Sequence, residues 1–164
     1  MKYTSLDKDF SFTNIKCTSM DKDFCDFDYC YIKPINRTYK YISLKVKLYK
    51  VPITNVTVNC SFMKRSNGYK PFLYNITADG CKFLKNQKSN PVLGYMYGLF
   101  KSHSNMNHTC PFDHDLIVDK VSTTFINYQF TKLLPFPEGE YLFRTNWIAY
   151  GILRATVDAY LSLT

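Results

Sequence analysis

Apolar and polar residues alternate along much of the chain with a period of two. The clearest case is the run 41–49, in which every second residue is aliphatic: Ile42, Leu44, Val46 and Leu48. This alternation is typical of strands with one buried face. On the same basis, together with turn signals such as Ser66-Asn67-Gly68, strands are predicted at about 10–18, 27–33, 41–49, 54–62, 69–78, 116–126, 140–148 and 153–161.

One region breaks the two-residue period. Asp79 is a predicted N-cap for a helical turn over 80–85, and Ser89 or Asn90 for a second helix that has Pro91 at its first position. No shift in composition and no linker divides the chain. The sequence therefore predicts one all-β domain over residues 1–164, a β-sandwich with a helical insertion at about 80–103.

Composition narrows the class of protein. The chain has 164 residues, of which 46% are hydrophobic and 21% are charged, and this balance excludes an intrinsically disordered protein. The formal net charge of +8 leaves nucleic acid, anionic lipid and acidic glycan open as partners. Lys45, Lys47 and Lys50 alternate along one predicted strand, which we interpret as a solvated face, with an anionic head-group or receptor site as the alternative.

The cysteines indicate an oxidising compartment. There are six of them, and no two form a C-x-x-C pair, which favours three disulfides over a zinc site. Six cysteines allow fifteen pairings, so the residues alone leave the connectivity open.

Glycosylation acceptors point the same way. The pattern Asn-x-Ser/Thr occurs five times, at Asn36, Asn55, Asn59, Asn75 and Asn107. We therefore expect a secreted, extracellular glycoprotein that does not meet nucleic acid. Because the first sixteen residues contain no apolar stretch, a signal peptide is expected to have been removed.

Aromatic residues are abundant, with 14 Tyr, 13 Phe and 1 Trp. Such residues can line the apolar cavity of a lipid-binding site, or they can pack an ordinary solid core. Both interpretations remain open at this point.

Three histidines lie within twelve residues, at positions 103, 108 and 114, beside Asp113 and Asp115. Histidines beside carboxylates can bind a metal ion or act in acid–base catalysis. Their spacing matches no ligand motif, and Asn107 among them is a glycan acceptor, so we interpret them as solvated loop residues. No catalytic signature such as G-x-S-x-G or H-E-x-x-H is present. The expectation is a protein that is not an enzyme, with no metal, no cofactor and no catalytic residue.

Several motifs resemble those of a known family in order and spacing: Asn14-Ile15-Lys16-Cys17, Cys30, the Asn36 sequon, 67–75, Asp79, Cys81-Lys82-Phe83, Asn107, Cys110-Pro111 and 135–141. They are similar to a large family of secreted insect proteins that includes the chemosensory CheB-type proteins. That family resembles a branch of the ML lipid-recognition superfamily. The resemblance implies an immunoglobulin-like β-sandwich whose two sheets separate to admit a lipid.

The resemblance also suggests a disulfide pattern. Cys25 and Cys60 stand where the family usually has apolar residues, so two extra cysteines that appear together are expected to bond to each other. Cys17 and Cys30 then pair across the first hairpin, and Cys81 and Cys110 join the two ends of the helical insertion.

The leading hypothesis is non-enzymatic binding of a small hydrophobic ligand, a lipid or a pheromone-like molecule, in chemosensory or extracellular signalling. The alternative is an extracellular interaction module with a filled core that binds a membrane receptor or channel through its surface. For the first hypothesis, the predicted wall residues beneath the insertion are Phe72, Tyr74, Phe83, Leu99, Phe125 and Trp147.

Overall fold

The protein folds as two antiparallel sheets packed face to face, which confirms the predicted all-β sandwich. The structure is a computed structural model that describes residues 10–130 and 135–164. Its strands are β1 (Phe10–Ser19), β2 (Cys25–Pro34), β3 (Lys40–Leu48), β4 (Val56–Arg65), β5 (Tyr69–Asp79), β6 (Leu116–Ser122), β7 (Gly139–Ala149) and β8 (Ile152–Leu163).

The two sheets differ in width. The larger has the strand order β1-β8-β7-β4-β5, and the smaller has the order β2-β3-β6. The first hairpin is split between them, because β1 pairs with β8 whereas β2 pairs with β3. Consequently β1 and β2 form one open edge of the sandwich, and β5 and β6 form the other.

The segment between β5 and β6 is helical, as predicted. It contains α1 (Gly80–Lys85), α2 (Pro91–Gly98) and two short 3₁₀ turns. Asp79 caps α1 by accepting a hydrogen bond from Lys82 N, and Asn90 caps α2 by accepting one from Leu93 N. We call 80–103 the helical cover, because α1 contacts β4 and β5 while α2 contacts β5.

The predicted strand 116–126 is wrong in its second half. The strand β6 ends at Ser122, whose hydroxyl oxygen accepts a hydrogen bond from Phe125 N and so caps α3 (Thr123–Tyr128). The Thr123 hydroxyl donates to the Lys40 carbonyl oxygen, which fixes the start of α3 against β3. A serine hydroxyl that is free to cap overrides the strand preference of the residues after it.

An aromatic cluster fills the end of the sandwich next to α3. At its centre Phe62 is fully buried, with its ring centroid 4.8 Å from that of Phe143 and 5.2 Å from that of Phe136. The rings of Phe130 and Phe136 stack at 4.5 Å. Aromatic pairs of this kind contribute about 0.5–1.5 kcal/mol each beyond the area they bury.

Two of the three predicted disulfides are present. Cys17–Cys30 links β1 to β2 across one open edge of the sandwich. Cys81–Cys110 links the start of α1 to the loop before β6, across the other edge. Each disulfide therefore joins elements that backbone pairing leaves unconnected.

The predicted Cys25–Cys60 disulfide is wrong, because both residues are buried free thiols. They lie on opposite sheets, Cys25 at the start of β2 and Cys60 in the middle of β4. The Cys25 thiol donates to the Arg154 carbonyl oxygen at 3.6 Å. Burial raises the pKa of Cys60 to about 12 and raises that of Cys25 as well, so neither is an activated nucleophile.

The two free thiols, Cys25 and Cys60, can be counted by chemical titration. In denaturant without reductant, Ellman's reagent should titrate two thiols per chain, and Cys25→Ser or Cys60→Ser should each lower the count to one. The native protein should react far more slowly, because both thiols are buried and protonated. A count of zero in denaturant would show that Cys25 and Cys60 are bonded to each other and would contradict this assignment.

The aromatic cluster makes a prediction about stability. Phe62→Ala should lower the free energy of unfolding by about 3–5 kcal/mol, since it leaves a cavity among rings that cannot close over it. Tyr31→Ala is a suitable control: this side chain is exposed on β2, and its loss should cost less than about 0.5 kcal/mol. Denaturant unfolding of both variants measures the difference, and equal losses would contradict the assignment of the cluster as a core.

Candidate functional site

An apolar cavity lies between the two sheets, with a volume of about 180 Å³. The larger sheet contributes mainly β7 and β8, and the smaller sheet contributes mainly β3. The residues that face the space from these strands include Ile42, Leu44, Val46, Trp147, Ala155 and Ala159. The small side chains on β8 leave the space open, because an alanine reaches less far toward the opposite sheet than any other apolar side chain that presents a Cβ.

Side chains border the cavity at both ends. At one end lie Ile126 and Phe130, next to the aromatic cluster. At the other end lie Phe24 and Ile53, and Leu99 borders the space from the helical cover. The cavity therefore runs along most of the length of the strands.

The polar groups in the wall already have partners within the protein. The Trp147 indole Nε1 donates to the Thr145 hydroxyl oxygen at 2.9 Å, and the Thr145 hydroxyl donates to the Val157 carbonyl oxygen at 3.4 Å. A ligand would meet hydrocarbon rather than free donors or acceptors. Such a wall favours apolar molecules, because a polar group that enters it loses its hydrogen bonds to water.

Arg154 is the charged side chain among the described wall residues. Its guanidinium lies 4.0 Å from the centre of the Phe24 ring. One of its nitrogens, Nη1, donates to Asp21 Oδ2 at 2.8 Å, and Nε donates to the Ala149 carbonyl oxygen at 3.1 Å. Arg154 thus connects β8 to the turn between β1 and β2 at that end of the cavity.

Exposed hydrophobic side chains surround the Arg154 end. The three loops that join β1 to β2, β3 to β4 and β7 to β8 meet there beside the start of β8, and six large apolar residues of these segments are 38–54% exposed. We call these residues the apolar rim: Met20, Tyr49, Val51, Tyr150, Ile152 and Leu153. Single exposed apolar residues are ordinary, but a group of them on neighbouring loops is typical of an interaction or entry surface.

Two of the six predicted wall residues line the cavity, namely Leu99 and Trp147. Tyr74 and Phe83 do not. Phe83 is buried in the helical cover against Tyr97, with ring centroids 5.6 Å apart. Tyr74 lies half-buried on β5 at a backbone irregularity, with a φ of 51°.

The other two predicted wall residues also lie elsewhere. Phe72 packs against Tyr141 at 5.5 Å between ring centroids, as part of the aromatic cluster. Phe125 lies on α3, with its ring against His103. For Phe72 the cause is that β5 is an edge strand of the larger sheet, so its aromatic residues pack beneath other elements. For Phe125 the cause is that the predicted strand ends at Ser122 and α3 follows it.

The residues that the sequence analysis missed are small or aliphatic. Ala155 and Ala159 on β8, with the aliphatic positions of β3, form much of the wall. Their alternation identified them as inward-facing. Two alanines on the inward face, with Val157 between them, are the available signal for empty space, and they are easy to overlook beside aromatic residues.

Four of the five sequon asparagines are exposed: Asn36, Asn55, Asn75 and Asn107. Asn59 is half-buried, and its amide nitrogen donates to Asn75 Oδ1 and to the Thr77 hydroxyl oxygen, each at 2.9 Å. Its amide oxygen accepts from the Asn146 amide at 3.0 Å. N-glycosylation modifies the amide nitrogen, and in Asn59 that nitrogen is already held in hydrogen bonds on the outer face of the sheet.

Two further features bear on the class of protein. Within 10–130 and 135–164, no three His, Cys, Asp or Glu side chains gather in an arrangement that could hold a metal ion. No helix in the same ranges has the length and hydropathy to cross a bilayer.

A family model described as "Protein of unknown function (DUF1091)" matches residues 58–143. The chain belongs to the DUF1091 family. No curated protein matches it. The matched DUF1091 segment begins in β4, ends within β7 and includes the whole helical cover, whereas β1, β2, β3 and β8 lie outside it. The cavity wall is therefore built partly from the matched segment and partly from strands that flank it.

The exposure of each sequon asparagine predicts whether it carries a glycan when the protein is secreted from eukaryotic cells. Asn36, Asn55, Asn75 and Asn107 should carry glycans, and Asn59 should not, because its amide nitrogen is held by two hydrogen bonds. Asn55→Gln should increase the gel mobility of the secreted protein, while Asn59→Gln should leave it unchanged. A glycopeptide that contains modified Asn59 would contradict this assignment.

Proposed function

We propose that this DUF1091 protein is a secreted, non-enzymatic binding protein that holds a small hydrophobic molecule between its two sheets. The observation that carries the proposal is the apolar cavity of about 180 Å³ in an otherwise packed sandwich. Protein interiors are packed as densely as organic crystals, with few voids larger than a water molecule. A space of this size therefore favours a ligand over a filled core.

The volume favours a particular size of ligand. An engineered cavity of about 150 Å³ binds benzene and stays dry when empty. The cavity here suits a molecule somewhat larger than benzene, such as a substituted single ring or a short hydrocarbon. A long acyl chain requires the two sheets to separate further. The proposed class of ligand is thus a small hydrophobic molecule of the size of many volatile compounds, rather than a long-chain lipid.

The energetics agree with that class. Burial of apolar surface stabilises a complex by about 0.8 kcal/mol per CH₂ group. The wall offers no compensating hydrogen bond to a polar group, because the polar atoms of Thr145 and Trp147 are bonded to each other and to the backbone. A hydroxyl buried there without a partner costs about 1–3 kcal/mol. Selectivity for hydrocarbon follows from this difference.

The setting is proposed to be extracellular. Two disulfides and exposed sequons suit an oxidising compartment. The resemblance to CheB-type proteins supports a chemosensory or signalling role, in which the loaded protein presents its ligand to a membrane receptor or channel.

The apolar rim supports the alternative function, an interaction module that binds a receptor through its surface. The two proposals differ in a measurable way. A surface module needs the rim but not the cavity, whereas a ligand-binding protein needs the cavity. Filling the cavity without touching the rim separates them.

The test is a size series measured by thermal unfolding. Benzene, p-xylene, butylbenzene and palmitic acid are each added to the glycosylated, tag-free protein. At a hundred times its Kd, a ligand stabilises the native state by about 2.7 kcal/mol, which raises Tm by roughly 5–10 °C. The expected result is a rise with p-xylene or butylbenzene and a smaller rise with palmitic acid.

Two cavity-filling variants provide the matched comparison. Ala155→Leu and Ala159→Leu put three more carbon atoms into the space and should abolish the rise in Tm, while the free protein keeps or gains stability. Ala78→Leu makes the same change at a half-buried position outside the wall and should keep the rise. If no ligand in the series raises Tm, or if the filled variants respond as the wild type does, the interaction module becomes the better account.

A further inference from the structure

The loop that precedes β6 brings two histidine side chains together. The Nε2 atoms of His108 and His114 lie 2.7 Å apart, and their ring centroids lie 4.9 Å apart. They are six positions apart in the chain, a spacing that matches no metal-binding motif. The path of the loop, rather than a helix or strand period, makes the contact.

The other ring nitrogens identify where the hydrogens lie. His108 Nδ1 is 2.7 Å from the Thr109 carbonyl oxygen, and His114 Nδ1 is 2.8 Å from the Asp115 carbonyl oxygen. A carbonyl oxygen only accepts hydrogen bonds, so each Nδ1 must carry a hydrogen and donate it. The Asn105 amide nitrogen lies 3.4 Å from His114 Nδ1, but it donates at the shorter distance of 2.8 Å to the Asp115 carbonyl oxygen.

This arrangement leaves two acceptors facing each other. A neutral imidazole with a hydrogen on Nδ1 has a lone pair on Nε2. Two lone pairs 2.7 Å apart repel unless a cation lies between them. We propose that His108 and His114 form a binding site for a divalent transition-metal ion, Zn²⁺ or Cu²⁺.

The loop that carries the pair is held in place on several sides. Asn105 closes its base, since its side chain accepts from Ile117 N at 2.9 Å and donates to the Asp115 carbonyl oxygen. Phe112 forms a β-bridge with Ile53, and its ring packs against that of His108 at 4.8 Å. The Cys81–Cys110 disulfide fixes the middle of the loop to α1. A loop anchored in this way holds the two rings together before an ion arrives.

The geometry fits a transition metal after a small movement. Zinc–nitrogen bonds of about 2.0–2.1 Å at a tetrahedral angle place two nitrogens roughly 3.3 Å apart, about 0.6 Å more than the 2.7 Å seen here. His108 is exposed, so its ring can swing by that amount. Imidazole nitrogen suits Zn²⁺ and Cu²⁺, whereas Mg²⁺ and Ca²⁺ prefer oxygen ligands.

The remaining coordination positions are open to water. In the described part of the chain no third His, Cys, Asp or Glu joins the pair as a ligand. The Asp115 carboxylate is directed elsewhere and accepts from Leu48 N at 3.0 Å. The site is thus a two-histidine site whose ion keeps exchangeable positions.

The experiment is a Zn²⁺ titration by isothermal calorimetry on the tag-free, disulfide-bonded, glycosylated protein, repeated with Cu²⁺. The wild type should bind one ion per chain. His108→Gln and His114→Gln should each weaken binding by more than the roughly 10–100-fold that loss of an outer-sphere partner costs. His103→Gln is the matched control: that ring contacts Phe125 rather than the pair, so binding should stay within about twofold of the wild type.

Circular dichroism and Tm establish that each variant is folded before its titration is interpreted. The proposal is overturned if the wild type binds neither ion, or if all three variants bind as the wild type does. It is also overturned if nitrogen NMR shows a proton shared between the two Nε2 atoms that added Zn²⁺ fails to displace. The p-xylene response of the cavity is measured separately and does not bear on this outcome.

Discussion

The structure depends on the mismatch in width between its two sheets. A five-stranded sheet faces a three-stranded one, so the inner faces of β4 and β5 extend past the smaller sheet and need other apolar partners. The helical cover supplies them, since its own Phe83, Leu93 and Met96 are buried. Because burial of apolar surface is the main favourable term in folding, the insertion between β5 and β6 is part of the core and stabilises the fold.

The same mismatch explains where the cavity lies and why the disulfides lie where they do. On the larger sheet the cavity wall comes mainly from β1, β7 and β8, and there small residues on β8 leave space against β3. Backbone hydrogen bonds hold strands within a sheet but not one sheet to the other. Cys17–Cys30 and Cys81–Cys110 tie the two open edges, so the sandwich stays closed around a space that packing alone does not fill.

The DUF1091 match covers the helical cover but only part of the cavity wall. Residues 58–143 contain the helical cover, the aromatic residues Phe62 and Phe136, and the loop with His108 and His114. The wall residues on β3 and β8 lie outside that segment. The cover and its loop thus lie within the segment that carries the family match, while much of the cavity wall comes from strands that flank it.

The sequence by itself determined most of the strands, the buried face of most of them and where α1 and α2 begin, because these depend on side-chain period and on caps only a few residues away. It did not determine which strands oppose one another. For that reason the sequence predicts Phe72 in a wall that Ala155 and Ala159 form, and it predicts a bond from Cys25 to Cys60, which lies on the other sheet. It predicts Phe125 in the wall because 123–126 has the pattern of a strand, whereas Ser122 caps α3 there. The contact between His108 and His114 likewise arises from a loop path set by Asn105, Phe112 and a disulfide. Contacts between residues far apart in the chain are decided by the packing of whole sheets, and a two-residue period carries no information about that packing.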